Sequence, residues 1–367
     1  MVGQMRAARL HAPGEPMRVD QIDQPELHPS DVLVEVKACG VIPNMNAIFS
    51  GKHWNLLPPL PAVVGLDAAG IVAKIGAEVS DVSVGDRVYV NPWLSCGSCY
   101  YCRTQTGLLC NAAAFQGYFG FFPKSERLLR RYPYGGFGQF TTASPSRLVH
   151  LPATVSFDQA ARFGYLGTSF SALRFGGVGA GSWLAINGVT GTLGVGAALI
   201  ALAMGATRIL GVGRNREILA AVKALASARI DTFALGDGPI DQWIRSRTEG
   251  LGVDVLLDCS SRASSATPAA EALAAVKRGG VAITIGALSE PLSIDAIRFM
   301  TSRIQLRGSN WFTTGEAQHM AELAGVGALD LGKLATRAYP LDGVNNALAD
   351  IKSRPGGFVN IVVHPDE

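Results

Sequence analysis

Two kinds of hydrophobic periodicity divide the chain. In its first third, short apolar runs break at Gly and Pro: DVLVEVKACGV, AGIVAKIG, GDRVYVNP and the stretch around RLVHLP. Such runs predict strands, and their succession predicts an antiparallel, barrel-like domain. After about Pro152 the pattern becomes a regular alternation of strand and helix. It reads WLAING, TLGVGAALIALAMG, RILGVGR, NREILAAVKALA, DTFAL, VDVLLDCS, ATPAAEALAAVKRG and VAITIGA. Alternation of this kind predicts an α/β doubly wound parallel sheet. The tail adds IQLRGSNWF, a helical stretch TTGEAQHMAELAGV and a final strand FVNIVVHP.

Composition acts on this picture mainly by exclusion. A length of 367 residues, 48% hydrophobic and 17% charged, fits a globular enzyme of about two domains. The net charge of +3 gives no electrostatic footprint for nucleic acid or an anionic membrane. The apolar run from Gly191 to Ala206 is too short and too rich in glycine to span a bilayer. The start, MVGQMRAARL, lacks the apolar core of a secretory signal, so a cytoplasmic location is expected.

Four of the six cysteines fall at Cys96, Cys99, Cys102 and Cys110, a C-x2-C-x2-C-x7-C spacing. In a reducing compartment such bunching reads as metal ligation rather than a disulfide framework. Four thiolates close a tetrahedral shell and leave no open position, so one structural Zn2+ per chain is expected.

The second chemical signal follows the strand WLAIN. Gly188, Thr190, Gly191, Thr192, Leu193 and Gly194 form a G-x-x-G-x-x-G turn that opens a long apolar helix. Glycines there admit a dinucleotide's diphosphate to the free N–H groups of the helix start. The next strand ends at Gly213, followed by Arg214 and Asn215, where NAD-preferring sites carry an acidic residue. A missing carboxylate beside a guanidinium favours NADP(H).

End to end the chain resembles the medium-chain dehydrogenase/reductase superfamily, which includes zinc alcohol dehydrogenases, quinone oxidoreductases and enoyl reductases. VEVKACGV, PAVVGLDAAGIVAKIG, GDRV, the cysteine lobe, GGFGQF, LPATVSFDQAA, the turn at Gly188 and GGVAITIGA carry the likeness. The resemblance implies a GroES-like β-barrel-type catalytic domain at 1–152 and 297–367, with a zinc lobe at 92–112. It implies a Rossmann domain at 153–296 and a homodimer or homotetramer. It also adds Thr168 and Gly286 to the expected nucleotide contacts.

The family's zinc-dependent members hold a second, catalytic metal on Cys, His and Cys. The matching positions here are Ile42, Leu66 and Tyr165, and the relay positions are Asn44 and Ala47. Asp67 stands where the family has Glu, in a supporting role. Enoyl reductases of the family carry a proton donor that matches His53 or Trp54, depending on one gap. The catalytic candidates are therefore Tyr165, His53, Asn44 and Asp67.

Without a metal to acidify an alcohol, alkoxide chemistry is expensive, whereas an enolate or hydroquinone anion can be held by ordinary donors. The expected reaction is NADPH-dependent reduction of an activated C=C or a quinone. The substrate would be a small apolar or aromatic carbonyl or quinone. Metal-free carbonyl reduction and non-catalytic nucleotide binding remain as alternatives. Phe115, Tyr118, Phe119, Phe121 and Phe122 either wall the substrate pocket or pack beneath the lobe, and Arg127, Arg130 and Arg131 suggest a solvated or contact face.

Overall fold

A computed structural model describes residues 3–52 and 56–367. Strand Val32–Val41 is the axis of the first half. It is buried along nearly its whole length, which is why its sequence runs apolar rather than alternating. Asp67–Ile75 pairs antiparallel with it on one side and Val359–His364 antiparallel on the other. Around it a seven-stranded sheet includes Arg87–Val90, Leu148–His150, Phe140–Ala143 and Ala335–Pro340. A separate three-stranded sheet is formed by Arg18–Asp23, Gln4–Leu10 and Ala62–Val63.

The second half is a six-stranded parallel sheet. Its spatial order is Ile230–Ala234, Arg208–Gly213, Trp183–Asn187, Val253–Asp258, Val276–Thr284, Gln305–Gly308. The strand order reverses between Trp183–Asn187 and Val253–Asp258, and that reversal opens a crevice at their carboxyl ends. The sheet runs past the boundary expected at residue 296. Helix Ala296–Ser302 and strand Gln305–Gly308 continue the parallel unit, because the tail segment IQLRG supplies its sixth strand.

Helix Thr192–Ala203 is buried from Gly194 to Ala201 and lies against helix Phe163–Phe175. One continuous core joins the barrel, these two helices and one face of the parallel sheet, while a second covers its other face around Leu210, Leu256 and Ile244. The expected tail helix forms at Thr314–Gly325, started by a capping box between Thr313 and Glu316. Among the described residues no helix is long and apolar enough to cross a membrane.

Candidate active site and nucleotide cleft

The four lobe cysteines converge as their spacing implies. The Sγ atoms of Cys96, Cys99, Cys102 and Cys110 all lie within 4.8 Å of one another. Backbone N–H groups already point at the sulfurs: Cys96 N–H to Cys110 Sγ at 3.2 Å, Cys99 N–H to Cys96 Sγ at 3.3 Å, and Ala112 N–H to Cys110 Sγ at 3.3 Å. Such donors stabilise thiolates, and an all-thiolate set fits a closed structural zinc site. Among the described residues no other group of three or more His, Cys, Asp or Glu side chains is close enough to share an ion.

The phosphate turn is held by its glycines. Gly188 has φ +82°, and a side chain on Gly194 would meet the Gly188 carbonyl at 2.3 Å. Gly191 caps helix Thr192–Ala203, leaving the N–H groups of Thr192, Leu193 and Gly194 for a ligand. Gly213 lies against the Thr190 side chain, so any Cβ there would collide at 2.6 Å. Gly286 packs as tightly on the Ser260 backbone, at the carboxyl end of the neighbouring strand. These close approaches leave room for a dinucleotide to lie along backbone.

At the adenosine end, Arg214 makes no hydrogen bond or ion pair among the described residues, whereas Arg216 is paired with Asp237. Asn215 has a structural task as well. Its Oδ1 accepts Ile218 N–H at 3.0 Å as the cap of helix Arg216–Ala224, so that oxygen is committed to the helix. Thr168 likewise spends its hydroxyl proton on the Gly164 carbonyl at 2.8 Å, within its own helix.

Where the resemblance places a second metal, the side chains of Ile42 and Leu66 are buried in the apolar core. Tyr165 projects from the first turn of helix Phe163–Phe175. Asp67 is 0% exposed and accepts the Tyr89 hydroxyl at 2.7 Å. The carboxylate also lies against Gly164 at the start of helix Phe163–Phe175, whose backbone lowers its pKa. A Cβ on Gly164 would sit 2.4 Å from Asp67 Oδ1, so the carboxylate and the helix meet only because residue 164 is glycine. Burial pushes the Asp67 carboxyl up to about 7, with Tyr89 and Gly164 pulling the other way. Burial and the Asp67 charge together raise the Tyr165 phenol well above its usual range.

Tyr118 was legible only as an aromatic. Its ring packs edge-on against Phe49 at 5.6 Å, while its hydroxyl is buried with no partner among the described residues, and burial above all, with Tyr165 and Asp67 nearby, raises its pKa. In the stretch after the lobe, Phe115 packs edge-on against Trp93 and Trp311, with Phe115 and Trp311 at 4.5 Å. Trp311 holds φ +65°, a left-handed conformation unusual for a bulky residue, and its indole N–H donates to Asn91 Oδ1 at 2.9 Å. Arg130 and Arg131 are paired rather than free, with Glu126 and with the buried Asp31.

Asn44 caps the short helix Met45–Phe49 with its backbone, and its exposed side chain makes no hydrogen bond among the described residues. His53 and Trp54 lie outside the described residues. Sequence reading missed Tyr89, the Tyr118 hydroxyl and Arg162, a buried arginine on the loop before helix Phe163–Phe175. No spacing pattern marks these three, because their roles come from contacts between distant segments.

A barrel carrying a thiolate lobe, joined to a doubly wound sheet with a glycine phosphate turn at its switch point, defines a two-domain nucleotide-dependent oxidoreductase. Residues 28–153 match the alcohol dehydrogenase GroES-like domain and residues 192–325 the zinc-binding dehydrogenase domain. The chain belongs to the zinc-type medium-chain dehydrogenase/reductase superfamily. It is 28% identical over 345 residues to an alcohol dehydrogenase of Geobacillus stearothermophilus, covering 93% of this chain and 94% of that one. It is 27% identical to an NAD-dependent alcohol dehydrogenase of Sulfurisphaera tokodaii, with 95% and 97% covered. A zinc-binding dehydrogenase from Sinorhizobium meliloti 1021, solved bound to NADP, has the same fold at a TM-score of 0.83, with 24% identity and 99% and 100% covered.

Proposed function

We propose that this oxidoreductase uses NADPH to reduce an activated C=C bond or a quinone, without a catalytic metal. The observation that carries this reading is the trio Ile42, Leu66 and Tyr165. Two hydrocarbons and a phenol stand where three metal ligands would be needed, and hydrocarbons cannot ligate. Around them the chain supplies hydroxyl donors instead: Tyr165, and Tyr118 with its unpartnered hydroxyl. Donors of this kind suit an enolate or hydroquinone oxyanion and are weak support for an alkoxide.

When bound, the nucleotide supplies the hydride. The chain's own part is to seat it on the N–H groups at Thr192, Leu193 and Gly194, to exclude water with buried Ile42 and Leu66, and to deliver a proton from a tyrosine hydroxyl. Asp67, through Gly164, holds the helix that carries Tyr165, and Arg214 with its free guanidinium favours the 2′-phosphate of NADPH. The aromatic cluster from Phe115 to Trp311 suits a small apolar or aromatic acceptor.

A second reading, metal-free carbonyl reduction, draws on the relatives' names, which are alcohol dehydrogenases. Product analysis separates the two. With NADPH and a conjugated enone, the first reading gives the saturated ketone and the second gives the allylic alcohol.

A further inference from the structure

Arg162 is 3% exposed and forms no ion pair among the described residues. Its guanidinium is held only by backbone carbonyls: Val359 at 2.9 Å, Gly357, and Thr192 at 3.3 Å. Its Nε is buried with no partner among the described residues. Burial pulls its pKa down to about 10, so it is still a cation at neutral pH. Carbonyl dipoles satisfy donors but do not neutralise a charge, and a buried charge without a counter-charge is costly. The fold therefore carries an unbalanced positive charge inside.

Its location indicates what balances it. Thr192 is the first residue of the phosphate helix, so Arg162 sits directly behind the free N–H groups of that helix. The segment Gly356–Gly357, part of the same arrangement, closes on the turn from the barrel side. Gly357 donates its N–H to the Thr190 carbonyl at 3.0 Å, and a Cβ on Gly357 would meet the Gly191 carbonyl at 2.4 Å. Arg162 also lines the narrow crevice between the domains, together with Ile42, Pro43, Tyr165 and Thr192.

We propose that Arg162 is a built-in counter-charge for the bridging diphosphate of the dinucleotide, acting from behind the phosphate turn alongside the helix N–H groups. This rests on the nucleotide site of the function proposed above, but not on the choice of NADPH or on the reaction. At a separation of several ångströms in a partly dry crevice, one charge of this kind is worth roughly 10- to 100-fold in affinity.

Calorimetric binding to the full chain tests this with NADPH, NADH, ADP and 2′-AMP, of which only 2′-AMP lacks a diphosphate. Arg162→Gln keeps part of the hydrogen bonding and removes the charge. It should weaken NADPH, NADH and ADP by the same factor, roughly 10- to 100-fold, and leave 2′-AMP unchanged. Arg162→Lys keeps the charge and should hold ADP close to the wild-type affinity. If Arg162→Gln does not fold by circular dichroism, the lysine variant decides: a folded lysine variant that binds ADP much more weakly than wild type, with 2′-AMP unaffected, overturns the proposal. So does a folded glutamine variant that binds ADP like wild type, or loses 2′-AMP as strongly as ADP. Failure of the NADPH reading would appear separately, as equal wild-type affinity for NADH and NADPH, with the Arg162 effect intact on both.

Discussion

The Tyr89 hydroxyl donates to one oxygen of Asp67, while the other, Oδ2, is fully buried with no partner among the described residues. A half-satisfied carboxyl in an apolar interior resists ionisation, and its stability contribution depends on pH. Its pKa is about 7 folded, against 3.8 for an unburied aspartate. Below about pH 4 the group is protonated in both states. Between about 4 and 7 the unfolded chain releases the proton and the folded one keeps it, so stability is lost as pH rises through that window. Above about pH 7 the contribution is flat. Asp67→Asn removes the titration, so the wild type's stability relative to this variant should fall by on the order of 4 kcal/mol across the window. Urea unfolding of both proteins from pH 4 to pH 8 measures it, and a constant difference contradicts the burial argument.

Elemental analysis should give one zinc per chain, held by the four clustered thiols. Cys99→Ser should lower the melting temperature, and the folded fraction should keep its hydride transfer, since a closed shell takes no part in chemistry. Two zincs per chain would show that a second metal site exists.

NADPH should bind 10- to 1000-fold, in order of magnitude, more tightly than NADH, from one or two charge-assisted hydrogen bonds to the 2′-phosphate. Arg214→Ala should remove most of that preference. Asn215→Ala should act differently: the lost helix cap costs about 1 kcal/mol of stability, with a smaller change in preference. Binding titrations with both nucleotides read the first effect and thermal melts the second.

Tyr165→Phe, Tyr118→Phe and His53→Ala separate the candidate proton donors. Loss of the true donor should lower turnover on an enone by roughly 10² to 10⁴, with NADPH affinity preserved. Tyr118→Phe carries a second readout. Removing a buried, unpartnered hydroxyl should leave the protein as stable or raise its stability by about 1 kcal/mol. Full turnover in all three variants would assign the proton to water or to the nucleotide.

What the sequence made legible follows its periodicities and its short-range motifs. The parallel sheet, the thiolate lobe and the phosphate turn are local patterns, and each lies where its residues imply. The sixth strand was misassigned because IQLRG is short and forms the sheet edge, with Leu306 43% exposed, so nothing in it says which sheet it joins. The capping role of Asn215 was not read from the sequence, because cap residues and phosphate contacts share one vocabulary at helix starts. Tyr89 and Asp67 are 22 residues apart, and Arg162 meets Gly357 across 195. No window along the chain contains such pairs.

The docking of Gly357 on the Thr190 carbonyl also sets an order of events during synthesis. The parallel sheet draws its strands from residues 183–308 and can assemble as soon as that stretch has left the ribosome. The barrel cannot close so early, because Val32–Val41 awaits its antiparallel neighbour Val359–His364. Just ahead of that neighbour comes the loop that backs the phosphate turn. The phosphate turn is thus formed by one folding unit and backed by the other, so its backing arrives only when Val359–His364 has paired with Val32–Val41 and closed the barrel.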